Sequence, residues 1–178
     1  MCGYSDQIEL IKKHISSYKD FPIKGVIFRD IFSVLRKPDV AAVLYNVLIE
    51  KAKSIQPVIE CIAALDSRGF LFGTIIAREL NIPFVPIRKK GKLPGSIKSV
   101  HYKLEYKEDD FEIQEGAIQP GQKVLVVDDL LATGGSLSAA CQLLSELNVV
   151  IECLVVIELT ELKARDNISV PIHTLITY

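Results

Sequence analysis

Two adjacent carboxylates, Asp128 and Asp129, stand between an apolar run, Val124 to Val127, and a small-residue turn, Ala132-Thr133-Gly134-Gly135-Ser136. Neighbouring carboxylates at the mouth of a buried strand repel each other and lose hydration, so they need a partner. Glycines in the turn let the backbone bend sharply, which converges successive amide N–H groups on an anion. A helix starting near Ser136 would add its positive N-terminal end, and Thr133 and Ser136 would add hydroxyl donors. This chemistry suits the grip of a phosphorylated sugar, with the turn on the phosphate and the aspartates on the sugar hydroxyls. Gly-Gly by itself is also an ordinary strand-to-helix turn; the paired aspartates tip the reading toward a ligand. There is no Gly-Lys-Ser/Thr, so the turn is not a Walker loop.

Two further clusters carry charge. Asp66-Ser67-Arg68-Gly69 closes an apolar run from Val58 to Leu65, and Arg88-Lys-Lys-Gly-Lys-Leu-Pro-Gly95 is strongly basic. Taken singly, the first is also a turn with a surface arginine, and the second a solvated loop. His14, His101 and His173 show no partner pattern and are expected to be structural or superficial, although His101 lies in a segment that could cover a site. The four cysteines show no metal spacing. Cys61, Cys141 and Cys153 sit in apolar runs, where a reduced thiol acts as a small hydrophobe. That suits a reducing compartment.

The elements that must position these groups follow from periodicity. Ser5 is placed to cap a first helix, with Ile8, Ile11 and Ile15 on one face. Residues 18–34 lack a sustained period and, with Pro22, Gly25 and repeated aromatics, read as an ordered loop. Pro38 suits the first position of a helix whose apolar stripe is Val40, Val43, Leu44, Val47 and Leu48. Val58 to Leu65 reads as a buried strand, followed by a helix from about Phe70 to Leu80 that Asn81 would end. Phe84 to Ile87 is a short strand. From Ser99 to Gln114 apolar and polar residues alternate around Lys107-Glu-Asp-Asp110, which suggests an antiparallel hairpin with a mobile tip. After the Pro120-Gly121 turn come the strand ending at Asp128, a helix carrying Leu137, Ala140, Cys141, Leu144 and Leu147, a buried strand from Val149 to Leu159, and a last strand from Thr174 to Tyr178. Apolar strands alternating with helices predict an α/β fold: a doubly wound, mainly parallel sheet covered on both faces.

At 178 residues and 49% hydrophobic content the chain can bury one sizeable core, so one domain over 1–178 is expected. A net charge of −1 offers no basic surplus for nucleic acid. The start, Met1-Cys-Gly-Tyr-Ser-Asp, shows no signal-peptide pattern, and no apolar run approaches the roughly 18 residues of a membrane span. A cytoplasmic protein is therefore expected.

Val124 to Ser136 resembles the phosphoribosyl-pyrophosphate (PRPP) motif of the type I phosphoribosyltransferases. Phe21-Pro-Ile-Lys-Gly-Val-Ile-Phe-Arg-Asp30, Leu65-Asp-Ser-Arg-Gly-Phe-Leu-Phe-Gly73, Ile87-Arg-Lys-Lys-Gly-Lys-Leu-Pro-Gly95 and Leu104-Glu-Tyr106 are similar to segments of that family's adenine-specific branch. The match runs from about Phe21 to Leu162, in the same order and with similar spacing. The resemblance implies a type I phosphoribosyltransferase fold with a small N-terminal hood over about 1–35 and a flexible antiparallel lid over about 95–114. It implies transfer of the phosphoribosyl group of PRPP to N9 of adenine with Mg²⁺, giving AMP and pyrophosphate, by a homodimer.

Carried over residue by residue, the resemblance implies that Ala132, Thr133, Gly134, Gly135 and Ser136 bind the 5-phosphate. Asp128 and Asp129 would hold the ribose hydroxyls and help to place Mg²⁺, which arrives on PRPP. Asp66, Ser67, Arg68 and Gly69 would bind pyrophosphate through a loop with a cis Asp-Ser peptide, and Lys89 and Lys92 would add positive charge. Ile27, Phe28 and Arg29 would form the adenine pocket, with Phe28 stacked on the ring, the Arg29 backbone reading the base edge and Leu159 on the other face. An amide N–H and C=O pair meets adenine's edge, whereas hypoxanthine presents the opposite polarity. Glu105 would accept a proton from the base and Tyr106 would help to close the lid. Ala64 stands where this family usually has glycine, and its methyl is expected to tighten the approach to the pyrophosphate loop without abolishing binding. A regulator that keeps the PRPP fold as a sensor is the alternative, disfavoured because the match takes up nearly the whole chain.

Overall fold

The computed structural model describes residues 3–104 and 107–178, giving only the backbone of 102–104 and 107–109. In chain order the elements are α1 (Tyr4–His14), β1 (Ser16–Lys19), β2 (Ile27–Asp30), α2 (Phe32–Leu35), α3 (Pro38–Ser54), β3 (Cys61–Leu65), α4 (Gly69–Leu80), β4 (Phe84–Lys89), β5 (Ile97–Leu104), β6 (Lys107–Gln114), β7 (Lys123–Leu131), α5 (Gly135–Ser145), β8 (Val150–Glu158) and β9 (Ile172–Thr177). Seven strands form one sheet in the order β5-β6-β4-β3-β7-β8-β9. From β4 to β9 neighbouring strands are parallel. The β5–β6 hairpin extends the β4 edge in antiparallel register, so the alternating segment forms the expected excursion.

Alternate residues of β7 explain why it is apolar throughout. Leu125 and Val127 face a core built with Ile11, Leu44, Leu48, Phe72 and Ile76, from α1, α3 and α4. Val124 and Val126 face the opposite core, built with Ile87, Phe111, Leu137, Ala140 and Leu144, the last three from α5. A strand buried on both sides gains on both, at about 1.5–3 kcal/mol for each large apolar side chain removed from water. The helices therefore cover both faces, as the periodicity predicts.

Several boundaries differ for identifiable reasons. Gly3, not Ser5, precedes the first turn of α1, because Asp6 reaches back to accept the Gly3 N–H at 3.0 Å. Val58 is 70% exposed, and the buried strand begins only at Cys61. Residues 18–34 are not a plain loop: β1 and β2 pair as an antiparallel hairpin and α2 follows. Ser33 anchors that hairpin, its hydroxyl accepting the Ser16 N–H at 2.8 Å and facing the carbonyls of His14 and Asp30 at 2.7 and 2.6 Å. Lys107 to Asp110, expected at a hairpin tip, belong to strand β6. Pro38 does open α3, and Asn81 does end α4 in the left-handed conformation at φ 54°.

Candidate active site

Strand β7 runs on to Leu131 instead of ending at Asp128. Its pairing with β3 stops at Val127, while pairing with β8 continues to Leu131 opposite Glu158. The two aspartates therefore emerge where one neighbouring strand has ended and the other has not. Such a crevice beyond the carboxyl ends of parallel strands is where α/β sheets bind ligands.

Two helix starts flank it. Gly134, at φ +87°, precedes α5, and a Cβ there would lie 3.1 Å from the Ala164 Cβ and 3.2 Å from the Ile168 Cδ1. Only glycine combines that backbone conformation with that lack of space. On the other side, a Cβ on Gly69 would lie 2.5 Å from the Val127 carbonyl oxygen and 3.3 Å from the Asp128 Cα. The missing side chain lets the first turn of α4 rest on the backbone of β7, beside the aspartates.

Between these starts lies a cleft of about 430 Å³ lined by Asp66, Ser67, Arg68, Lys89, Asp128, Asp129 and Ser136, together with Phe32, Leu65 and Phe111. A second space of about 190 Å³ continues over Ala132 to Ser136 and shares Arg68 and both aspartates. The Arg68 Nε–H donates to Asp129 at 2.9 Å, and the Asp129 N–H donates to the Asp128 carboxylate at 2.9 Å. The Arg88 Nε–H donates to Asp66 at 3.1 Å and its Nη1–H to the Lys92 carbonyl at 3.2 Å. The Asp66–Ser67 peptide is cis, as the resemblance implied.

Burial, and then the neighbouring Asp129 charge, pushes the Asp128 carboxyl well above the usual range. Burial also raises Asp129, opposed by the Arg68 guanidinium. Burial thus works against ionising both carboxylates at once, and a cation beside them favours it. Among the described residues no group of three or more His, Cys, Asp and Glu is placed to hold a metal ion. Two adjacent carboxylates without a closed cage suit Mg²⁺, which keeps several waters and is commonly held by one or two carboxylates plus substrate phosphates.

The other expected residues are distributed differently. Lys92 is exposed and does not line the cleft; its carbonyl serves Arg88. Phe28 lines a separate space of about 590 Å³ with Tyr18, Lys19, Asp20, Phe21 and Asp30, and its ring meets Phe21 edge-on at 5.1 Å. Ile27 is exposed. The Arg29 guanidinium stacks on Tyr178 at 3.8 Å and donates to the Ser17 hydroxyl at 2.6 Å. Leu159 follows β8 and packs against the core shared by α3 and α4, with its N–H on the Leu131 carbonyl at 2.9 Å. Leu159 lines neither the cleft nor the Phe28 space. Glu105 and Tyr106 lie outside the described residues. The Ala64 methyl faces α4, where a Cβ on Gly73 would lie 2.8 Å away, so the helix absorbs it and the pyrophosphate loop does not.

Sequence reasoning missed Arg88, Phe32 and Phe111. Arg88 could have been found as the residue that leaves β4 beside the end of β3, within reach of Asp66. Nothing in the local pattern marks the two phenylalanines.

A doubly wound sheet with paired acidic residues and a glycine turn at the end of one strand defines the phosphoribosyltransferase class. A family model described as "Phosphoribosyl transferase domain" matches residues 35–172. Adenine phosphoribosyltransferase of Drosophila pseudoobscura pseudoobscura is 49% identical over 97% of this chain and 96% of its own. That of Rattus norvegicus is 49% identical over 97% of both. The chain belongs to the adenine phosphoribosyltransferases of this family. Among solved structures, the Saccharomyces cerevisiae enzyme complexed with a dideoxy-imino-altritol bisphosphate and adenine superposes with a TM-score of 0.88, at 39% identity, covering 96% of this chain and 99% of that one. The Giardia lamblia enzyme complexed with 9-deazaadenine gives 0.86 at 31% identity, covering 100% and 99%.

Proposed function

We infer that this chain transfers the phosphoribosyl group of PRPP to N9 of adenine, giving AMP and pyrophosphate. The observation that carries the reading is a pair of adjoining spaces, one at the Asp66–Gly69 loop and the other over the Ala132–Ser136 turn, which share Asp128 and Asp129 between them. PRPP has the same layout: pyrophosphate at one end, 5-phosphate at the other and ribose hydroxyls in the middle.

In this reading the turn and the start of α5 hold the 5-phosphate. Asp128 and Asp129 accept hydrogen bonds from the ribose hydroxyls. As they do so, Arg68 exchanges Asp129 for the pyrophosphate, and Lys89 adds a second cation. Arg88 holds Asp66 in place. Asp128 and Asp129 would help to hold Mg²⁺ arriving on PRPP, and the ion would supply positive charge for the pyrophosphate leaving group. The C1′–O bond breaks ahead of N9 attack, so the sugar passes through an oxocarbenium-like state. The wall of Phe28 and Phe21 supports a purine stacked in the hood, with Ile27 and the Arg29 backbone beside it; Leu159, which lines neither space in the free chain, would have to approach the ring when the base binds. Glu105 accepts the base proton and Tyr106 closes the lid. Residues 1–178 act as one domain, with the hood over about 1–35 and the lid over about 95–114. The protein works as a cytoplasmic homodimer.

Incubation with PRPP, Mg²⁺ and each purine in turn, followed by nucleotide chromatography, should yield AMP from adenine at a rate far above any product from hypoxanthine or guanine. Comparable IMP or GMP would overturn the base assignment, and no nucleotide at all would point to a sensor.

The raised Asp128 carboxyl carries a stability prediction. The folded state binds more protons than the unfolded state between the ordinary value of 3.8 and the raised one, so stability falls as pH rises through that window. Asp128→Asn removes the effect. In metal-free buffer the variant should melt above wild type at about pH 7, and the gap should close as pH falls toward 3.8. A variant that melts below wild type at neutral pH would show that repulsion at the pair is already relieved.

A further inference from the structure

Away from the cleft, Cys141 on α5 and Cys153 on β8 bring their sulfurs to 3.5 Å. No role in the transfer reaction needs either thiol. Cys153 is fully buried, but Cys141 is 7% exposed and lines a surface cavity of about 180 Å³ with Ser138, Gln142, Asn167 and Ile168. That space is several times the roughly 30 Å³ share of a water molecule. Cys141 therefore forms part of the wall of a space large enough for a small polar oxidant, and Cys153 stands behind it in contact.

We propose that Cys141 and Cys153 are a site of reversible oxidation, forming a disulfide when a small peroxide enters the cavity beside Cys141. The two thiols are not equivalent. A hydrogen bond from Cys153 favours the Cys141 thiolate, whereas Cys153 is held protonated by that same contact, by burial and by the nearby Glu152 charge. Cys141 is thus the attacking sulfur. Its thiolate attacks one oxygen of hydrogen peroxide, the O–O bond breaks, and the released hydroxide takes up a proton to leave as water. Cys141 then carries a sulfenic acid. The Cys153 sulfur displaces that hydroxyl, its own proton leaves with it as a second water, and the S–S bond forms. Two thiols are oxidised and one peroxide is reduced to two waters.

The bond links to the site through α5. Sulfurs 3.5 Å apart must close to about 2.05 Å, which draws α5 toward β8 at Cys141. Cys141 lies fewer than two turns beyond Gly135, where the Ala132–Ser136 turn passes into that helix. Cys61 provides an internal control: it is buried and its thiol is pushed up to about 11 by burial, with the Ile62 carbonyl as its hydrogen-bond acceptor.

The test is peptide mass mapping of the full chain after treatment with hydrogen peroxide, under non-reducing conditions. A linked Cys141–Cys153 peptide pair lighter by two hydrogens is expected, with Cys61 unmodified and the link reversed by dithiothreitol. In Cys153→Ala the reaction should stop at a Cys141 sulfenic acid that dimedone traps, and Cys141→Ala should give neither product. Free thiols at both positions after peroxide would overturn the site, as would a singly oxidised Cys141 with no link in the wild type. A kinetic arm rests on the proposed function: oxidised wild type, but not oxidised Cys141→Ala, should show a several-fold higher KM for PRPP. An unchanged KM in linked protein would overturn the coupling to α5.

Discussion

Asp129→Asn should lower kcat/KM for PRPP by on the order of 10- to 100-fold and leave the chain folded. That range corresponds to about 1.5–3 kcal/mol, the worth of a hydrogen bond to a charged group. The asparagine keeps the shape of the side chain but loses the negative charge that holds Arg68 at 2.9 Å in the free protein and that the proposed function sets against a ribose hydroxyl. Two opposing effects on stability follow. The Arg68 guanidinium loses its partner, but its side chain is 32% exposed, so water replaces much of what is lost. At the same time one of two crowded carboxylates disappears from a site where burial raises both. The melting temperature should therefore change little while turnover falls. Steady-state kinetics with PRPP varied, set beside a thermal melt, separates these outcomes. Near wild-type kinetics would remove Asp129 from the ribose site; a collapsed melting temperature would make its role structural.

Gly69→Ala should be damaging even though alanine is the better helix former by about 1 kcal/mol. The added methyl would lie 2.5 Å from the Val127 carbonyl oxygen and 3.3 Å from the Asp128 Cα. Both neighbours are backbone atoms of a strand paired on both sides at Val127 and with β8 at Asp128, so no side chain can swing away. The first turn of α4 must retreat instead, by about the 1 Å that separates this contact from ordinary packing. Overpacking of this kind typically costs about 1–3 kcal/mol, more than the propensity gain. Retreat also carries Ser67 and Arg68 away from the aspartates, and a 1 Å misplacement can cost about 100-fold in rate. A lower melting temperature together with a kcat/KM reduced by about that factor is the expected pair. A variant with a raised melting temperature and intact activity would show that α4 is not seated on β7 in solution.

The central strands were legible in the sequence because each needs apolar residues on both faces, and nothing else in a chain of this length writes a run such as Val124 to Val127. The glycine turn and the paired aspartates were legible for a related reason: their cost is local and calls for a partner. The β1–β2 hairpin was not legible. β1 is largely exposed and β2 only partly buried, and each has four residues, too few for an apolar alternation to record them. Long-range pairings were equally hidden. Arg88 reaches Asp66 across 22 residues, and the basic segment gives no local sign of which cation turns toward the sheet.

By itself, then, the sequence determined the sheet, the helices on both its faces and the identity of the acidic and small residues at the strand end, because these follow from periodicity and local desolvation. Tertiary structure alone decided that β7 outruns β3 and opens the crevice, that Arg68 rests on Asp129, and that the Ala64 methyl is taken up by Gly73 of α4. It also placed Lys92 outside the cleft and set Cys141 against Cys153. Each of these depends on distances between segments remote in the chain, which packing sets and local pattern does not encode.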